Sequence, residues 1–497
     1  DFMTKYFRYQ LATLPPTPLG NWTFWAEFRA CDNLQAVYWF YNITGEAFLL
    51  DLGNLLHEQS FNFIDMFLNR DHLTRFNSIH CVNLAQGLKE PVIYYQQKPE
   101  KSYIDAVKKG LADIRKYNGQ PQGMFGGDEG LHGNNPTQGS ELCSAVELMY
   151  SLEKMMEITG DLTFTDHLER IAFNALPTQI TDDFMNKQYF QQANQIMITR
   201  HPHNFYEDAH HAATDIIYGT RTGYPCCFSN MHQAWPKFTQ SLWYATPDKG
   251  IAALAYSPSE VVAQVGDGHE ISIIEDTYYP MDDKIRFTIR LSNSVKEVTF
   301  PFHLRIPEWC KGAAVTINGI TDSINGGSDM AILHRPWKDG DQVILSLPMK
   351  VESSRWYENS VAIERGPLVY ALKMEERWMK KEFVGKERNQ FGFDYYEVSS
   401  PTKWNYGILS ATIEDLEKNS QVTIDPDKQS CDYFWNVRNA PIQIKLKAKE
   451  MTSWRIYNEM TGPLPFSTSK SEQPEEEIVL VPYGCTTLRI SEFPVVR

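Results

Sequence analysis

The chain has 497 residues, of which 42% are hydrophobic and 22% charged, a globular composition that can bury several domain cores rather than a disordered one. Lys plus Arg number 47 against 62 Asp plus Glu, a net charge of −15, which argues against nucleic-acid binding and against a basic membrane-binding face. No run of about 18 uncharged apolar residues occurs, so no transmembrane helix is expected.

The opening Asp1-Phe2-Met3-Thr4-Lys5 is not a signal peptide and leads directly into a helical pattern at Tyr6, Tyr9 and Leu11. An upstream segment is therefore expected to be missing. Helical spacing continues through segments 24–42, 46–69, 79–97, 100–117, 140–158 and 162–175. Stop signals follow several of them, at Gly45, Asn118-Gly119 and Gly160. The similar junctions Ile43-Thr44-Gly45-Glu46 and Ile158-Thr159-Gly160-Asp161 hint at paired antiparallel helices, as in an α/α toroid.

Near residue 245 the pattern changes. Segments 270–276, 285–291, 297–306, 315–317 and 343–347 alternate or run β-branched, with turns at Asn318-Gly319 and Asp339-Gly340-Asp341. The expected organisation is a helical domain over 1–245, a β-sandwich over 246–374 and a second β domain over 375–497. The acidic run Glu475-Glu476-Glu477 reads as solvated surface.

Eight cysteines in this length are too few for a disulfide framework, and most read as small buried hydrophobes. Cys226-Cys227 differs, because adjacent cysteines bridge each other only with strain. Flanked by Gly223 and Pro225, the pair is read as two sulfurs offered from one turn. With Glu141 and Cys143 it makes three thiolates and a carboxylate, a complete tetrahedral set for zinc with no open position for water. Such a metal would hold the cysteines as thiolates, one of which could act as a nucleophile. The plain alternative is a group of buried thiols.

Glu129 lies in the glycine-rich Gly126-Gly127-Asp128-Glu129-Gly130, expected to be a loop beside a cleft. The charge of Asp128 next to it would suit Glu129 to general-acid work; the alternative is a surface carboxylate. His201, His203, Glu207, Asp208, His210 and His211 form a rival metal cluster, but their spacing matches no metalloprotease signature, and a polar loop lining a pocket is the preferred reading.

These motifs resemble glycoside hydrolase family 127 and its relatives, formerly a domain of unknown function numbered 1680. The likeness rests on Gly127-Asp128-Glu129, on Gly139-Ser140-Glu141-Leu142-Cys143, and on Cys226-Cys227 followed by Asn230, His232-Gln233 and Trp235-Pro236-Lys237-Phe238. Phe302-His303-Leu304-Arg305-Ile306-Pro307, Arg335-Pro336-Trp337 and Glu364-Arg365-Gly366-Pro367 add support, so the resemblance spans most of residues 1–375. It implies an (α/α)6 barrel, incomplete at its N-terminus, followed by antiparallel β-sandwich domains.

The resemblance further implies a retaining β-L-arabinofuranosidase-like exo-glycosidase releasing a terminal rare sugar from plant-type oligosaccharides or polysaccharides. Zn2+ would be held by Glu141, Cys143, Cys226 and Cys227. Cys226 would be the nucleophile and Glu129 the acid/base, with His80, Asn194 and His203 contacting substrate. The 12 residues from Glu129 to Glu141 are fewer than in the founding enzymes and mark a distinct branch. Two rivals stand beside this reading. One is a polysaccharide lyase using His203, Asn204 and Tyr206; the other is a non-catalytic glycan-binding protein with a structural zinc. A periplasmic or secreted location is favoured, and the oligomeric state is open.

Overall fold

The computed structural model describes residues 1–21, 23–75, 77–203, 205, 211–292, 295–323 and 329–497. Its first half is a helical barrel. The helices Phe2–Thr13, Ala30–Thr44, Phe48–Gln59, Lys101–Tyr117, Leu142–Thr159 and Cys226–Gln240 are the longer ones. Gly45 and Gly160 end two of them in the left-handed region, at φ 69° and 70°, where a residue without a Cβ carries no steric penalty. The long segments read from the sequence are often split. The 46–69 pattern becomes two helices with a capped break, in which the Asn62 side chain accepts from the Asp65 N–H. Among the described residues no helix is long and apolar enough to cross a membrane.

The change to strands falls between the helix Cys226–Gln240 and the strand Trp243–Ala245. A six-stranded sheet runs in the order Ser259–Val265, His269–Thr277, Lys284–Leu291, Gln342–Ser346, Ala314–Ile317, Ile320–Ser323. It packs with a four-stranded sheet built on Val298–Ile306 and Asp329–Trp337, paired antiparallel over nine residues. Inward positions alternate along His269–Thr277, where Ile271, Ile273, Glu275 and Thr277 are buried, whereas Val298–Ile306 is buried almost throughout. Strands Val351–Arg355, Val361–Arg365 and Leu368–Leu372 belong instead to an eight-stranded sheet with Glu475–Pro482 and Ile442–Glu450. The sheet therefore crosses the boundary expected at 374.

The β domains brace the barrel through buried charge. Arg305, on Val298–Ile306, reaches Asp166 and Glu169 of the helix Thr163–Arg170, both at 2.5 Å. Arg170 in turn meets Glu364 with both terminal nitrogens, at 2.5 and 3.0 Å. A planar guanidinium matched to carboxylates holds the two halves in one register.

Two small sheets position the site. One runs Asn77–His80, Gly130–Gly133, Gly126–Asp128, Ser140–Glu141, Phe190–Gln191. The other joins Arg377–Glu382 and Asp394–Ser399 of the C-terminal region to Tyr218–Gly219 and Lys187–Gln188 of the barrel.

Candidate active site

Two helix N-termini meet at one point. Glu141 ends a two-residue strand and stands directly before the helix Leu142–Thr159, whose first turn carries Cys143. Cys226 and Cys227 open the helix Cys226–Gln240 directly after Pro225. The turn expected at the cysteine pair is thus a helix start, where proline is well tolerated. A helix N-terminus favours negative charge, so both helices support anionic side chains here.

Cys143 Sγ lies 2.8 Å from Cys227 Sγ and 3.3 Å from Cys226 Sγ. Glu141 Oε1 lies 3.3 Å from Cys227 Sγ and 3.9 Å from Cys226 Sγ. All four cysteine and carboxylate groups have a ligand atom within 4.8 Å of the others. The sulfurs stand well beyond the roughly 2.05 Å of a disulfide bond, and all three thiols are free.

Burial pushes Glu141, Cys143 and Cys227 well above their usual ranges. Hydrogen bonds from Cys143 and Cys227 pull Cys226 down to about 3. Of these four acids Cys226, the exposed member, is the one pulled down while burial pushes the others up. A bound cation would remove the penalty on the other three. Glu141 Oε2 is buried with no hydrogen-bond partner among the described residues, so an acceptor is left for it. These residues fit a metal ion.

Glu129 faces this cluster. It is the turn residue between the strands Gly126–Asp128 and Gly130–Gly133, held at φ 76°. Such a conformation is costly for a residue with a Cβ and is maintained by its surroundings. The Tyr189 hydroxyl donates to Glu129 Oε1 at 2.5 Å, and His80 Nε2 lies 3.0 Å from Oε2. His211 Nε2 lies 3.6 Å from Oε1, while its Nδ1 pairs with Asp215. Burial works against a charged His211, but the Asp215 carboxylate outweighs it and raises the imidazole above its usual value. His80, Glu129 and Glu141 bring one polar atom each within 4.8 Å of one another, so the Glu129 carboxylate borders the cysteine cluster.

Two glycines permit this packing. A Cβ at Gly127 would stand 2.0 Å from Cys81 Sγ. Gly223, at φ 61°, lies against the Tyr189 ring, where a Cβ would come within 2.3 Å. Lys187 completes the frame: its buried ammonium donates to the Thr222 carbonyl and to Tyr224 O at 3.0 Å, tying down the turn that leads into Cys226.

The structure therefore brings together Glu129, His80, Glu141, Cys143, Cys226 and Cys227. It places other expected residues elsewhere. Asn194 is fully buried; its amide donates to Glu492 O at 2.9 Å and accepts from the Ser491 and Glu492 N–H groups. Both carbonyl lone pairs are spent on backbone, so Asn194 clasps the C-terminal segment rather than facing a sugar. His203 is 2% exposed and packed against His201 and Phe205, with no hydrogen-bond partner for either ring nitrogen among the described residues. Burial holds it neutral, with a pKa of about 4. It is closed off from solvent and not presented to a ligand. His201 pairs with Asn458 at 2.9 Å, so the expected histidine cluster does not converge among the described residues. Asn204, Tyr206, Glu207, Asp208 and His210 lie outside the described residues. The like charge expected beside Glu129 is turned away, since the Asp128 carboxylate pairs with His132.

Tyr189, Lys187 and the placement of His211 were not legible as site features. Lys187 sits in the strand Lys187–Gln188 and Tyr189 in the link to Phe190–Gln191, and their side chains reach residues 35 and 60 positions away.

Comparison with known proteins agrees with this geometry. The model of the GH127 beta-L-arabinofuranosidase catalytic domain matches residues 1–240, and that of the GH127 middle domain matches residues 250–349. A non-reducing end beta-L-arabinofuranosidase from Bifidobacterium longum subsp. longum is 26% identical over 249 residues, 48% of this chain and 36% of that protein. The match thus spans about a third of that curated relative. Among solved structures, one glycoside hydrolase aligns with a TM-score of 0.66 at 18% identity, covering 97% of this chain and 76% of that one. A GH127 beta-L-arabinofuranosidase from Geobacillus stearothermophilus T6 aligns at 0.64 and 18% identity, covering 93% and 72%. A GH127 beta-arabinofuranosidase aligns at 0.65 and 17% identity, covering 93% and 68%. With the family's catalytic and middle domains matched in order along its first 349 residues, the chain belongs to glycoside hydrolase family 127.

Proposed function

We propose that this protein is a retaining exo-glycosidase that releases a terminal β-L-arabinofuranose-like sugar from plant-type glycans. The observation that carries the reading is the placement of Glu129 beside the cluster whose exposed member is Cys226. The relatives named for beta-L-arabinofuranosidase activity supply the substrate class.

In the first step the Cys226 sulfur forms a bond to the anomeric carbon while the bond from that carbon to the leaving oxygen breaks. Glu129, entering protonated, gives its proton to that oxygen. In the second step the Glu129 carboxylate takes a proton from water, and the hydroxide attacks the anomeric carbon. The carbon–sulfur bond breaks, the thiolate is restored, and the sugar leaves with its original anomeric configuration. This is the two-step retaining scheme with sulfur in the place of the usual carboxylate.

Tyr189 and His80 hold the two oxygens of Glu129 from opposite sides, fixing its direction through both steps. Lys187 holds the approach to Cys226. Glu141, Cys143, Cys226 and Cys227 are the residues that would bind Zn2+, since three sulfurs and a carboxylate form a tetrahedral zinc donor set. The ion, when bound, stabilises the thiolate form of its ligands.

The test is hydrolysis of 4-nitrophenyl β-L-arabinofuranoside, followed by proton NMR of the newly released sugar. The reading predicts first-formed product with the β configuration and loss of turnover in Cys226→Ala and Glu129→Gln. First-formed α product, or full activity in either variant, would overturn it. Release of an unsaturated, ultraviolet-absorbing product would favour a lyase.

A further inference from the structure

We propose that a cleft separate from the cysteine cluster binds a neutral oligosaccharide chain. The ligand class rests on the glycan-active reading above. The cleft has a volume of about 590 Å³, within the range of small-molecule sites. It lies where segment 177–186 of the barrel meets the hairpin Arg377–Glu382 and Asp394–Ser399, and segments 435–438 and 484–487.

Three aromatic rings from three segments line it: Trp378, Tyr396 and Trp435. Trp378 is 41% exposed, on the strand Arg377–Glu382 at the edge of its sheet. Its ring is held in place. It packs against Tyr218 at 5.1 Å and Tyr396 at 6.0 Å, and its indole N–H donates to Glu376 Oε2 at 3.3 Å. Glu376 Oε1 is anchored by the N–H groups of Thr487 and Leu488, at 2.6 and 3.2 Å. Trp435 stacks on Phe173, with centroids 6.2 Å apart and planes 6° apart. Gly484 allows the backbone close to it, since a Cβ there would come within 2.8 Å of the indole.

Polar groups stand among these rings. Asn436 donates to Asp182 Oδ2 at 3.0 Å and its amide oxygen accepts from the Asn439 N–H at 2.9 Å, which leaves the other Asp182 carboxylate oxygen for a ligand. Arg438 is exposed, and its guanidinium acts electrostatically on the Asp182 carboxylate. Fixed rings beside an amide, a carboxylate and a guanidinium suit a sugar, whose C–H face lies on a ring while its hydroxyls both donate and accept. Asp182, Asp183 and Glu376 outnumber Arg438, so the cleft disfavours uronate-rich chains and favours neutral ones.

The cleft is distinct from the catalytic residues but backs onto them. Tyr218, beneath Trp378, pairs across its strand with Gln188, and Gly219 pairs with Lys187. A glycan held here would keep a polymer attached while its ends are trimmed.

Calorimetric titration with arabinohexaose, xylohexaose and hexagalacturonic acid tests the proposal, using the full chain carrying Glu129→Gln so that no probe is consumed. Binding of a neutral hexaose is expected, with affinity lowered at least tenfold by adding Trp378→Ala and severalfold by adding Arg438→Ala. Arg438 is exposed and Trp378 lies on an edge strand, and melting temperatures matching the parent chain would show that both variants keep the fold. In a chain retaining Glu129, Trp378→Ala is expected to leave hydrolysis of the monosaccharide aryl glycoside unchanged. Absence of neutral binding, affinity unaffected by both changes, or binding confined to the galacturonic acid chain would each overturn it. Should the wild-type chain hydrolyse no aryl glycoside yet show binding that depends on Trp378, the cleft stands and the catalytic reading falls.

Discussion

The Tyr189 hydroxyl donates to Glu129 Oε1 at 2.5 Å, which ties the proposed acid/base to the link between the strands Lys187–Gln188 and Phe190–Gln191. Tyr189 is itself clamped, with Gly223 against one part of its ring and the Lys187 ammonium 4.8 Å from its centroid. The hydrogen bond therefore orients the carboxyl rather than following it. Hydrogen bonds to charged groups contribute about 1.5–3 kcal/mol, so Tyr189→Phe is expected to lower kcat by about 10- to 100-fold. The metal content should not change. Steady-state kinetics with the aryl arabinofuranoside, alongside metal analysis, would show whether the effect is confined to turnover.

Lys187 carries a different role. Replacing it with Met keeps most of the volume and strips the donor from the Thr222 and Tyr224 carbonyls. A buried group left without its partner costs about 1–3 kcal/mol. Lys187→Met is expected to lower both the melting temperature and the zinc bound per chain, by plasma mass spectrometry of the purified protein. Unchanged zinc would show that the turn before Cys226 holds its shape without the lysine.

Gly127 is expected to tolerate no side chain. The Cβ of Gly127→Ala would collide with Cys81 Sγ beneath the strand that leads into Glu129. Forcing an atom into a packed interior costs about 1–3 kcal/mol. A fall in denaturation midpoint together with lost activity is expected. Paired with Cys81→Ala, the change should regain much of the stability, because the blocking sulfur is then gone.

Glu492 governs a pH dependence far from the site. Burial pushes its carboxyl from 4.5 up to about 8. Ser360 donates to Oε2 at 3.0 Å, and Oε1 has no partner among the described residues. Between those two values the folded chain keeps a proton that the unfolded chain has lost, so stability falls as pH rises through that window. Glu492→Gln is neutral throughout. It is expected to raise the melting temperature at pH 8.5, to give little at pH 4.5, and to flatten the decline between. Melting curves of both proteins across that range would check this; parallel curves would contradict it.

Much of the site was legible because its parts are close in sequence. Glu141 and Cys143 share one helix start, and Cys226 and Cys227 are neighbours, so donor type and spacing reveal the set. The environment of Glu129 was not, because its partners His80, Tyr189 and His211 lie 49 to 82 positions away and arrive only through the tertiary fold. Asn194 misled for the same reason in reverse: its partners at 491 and 492 lie 298 positions away or nearly so, and no local pattern announces them. The strands of the β half were readable from alternation, and observed His269–Thr277 and Val298–Ile306 bracket or nearly match the expected spans. The sheet to which 351–372 belongs was not, since sheet membership is set by partners at 442–482.

The central claim is that Cys226 attacks the sugar. Its most direct test is mass spectrometry of rapidly quenched, protease-digested enzyme after mixing with a fast-leaving aryl β-L-arabinofuranoside. The account predicts one anhydropentose added to the peptide carrying Cys226, absent from Cys226→Ala. A sugar found on another residue, or product formed with inverted configuration and no adduct, would contradict it.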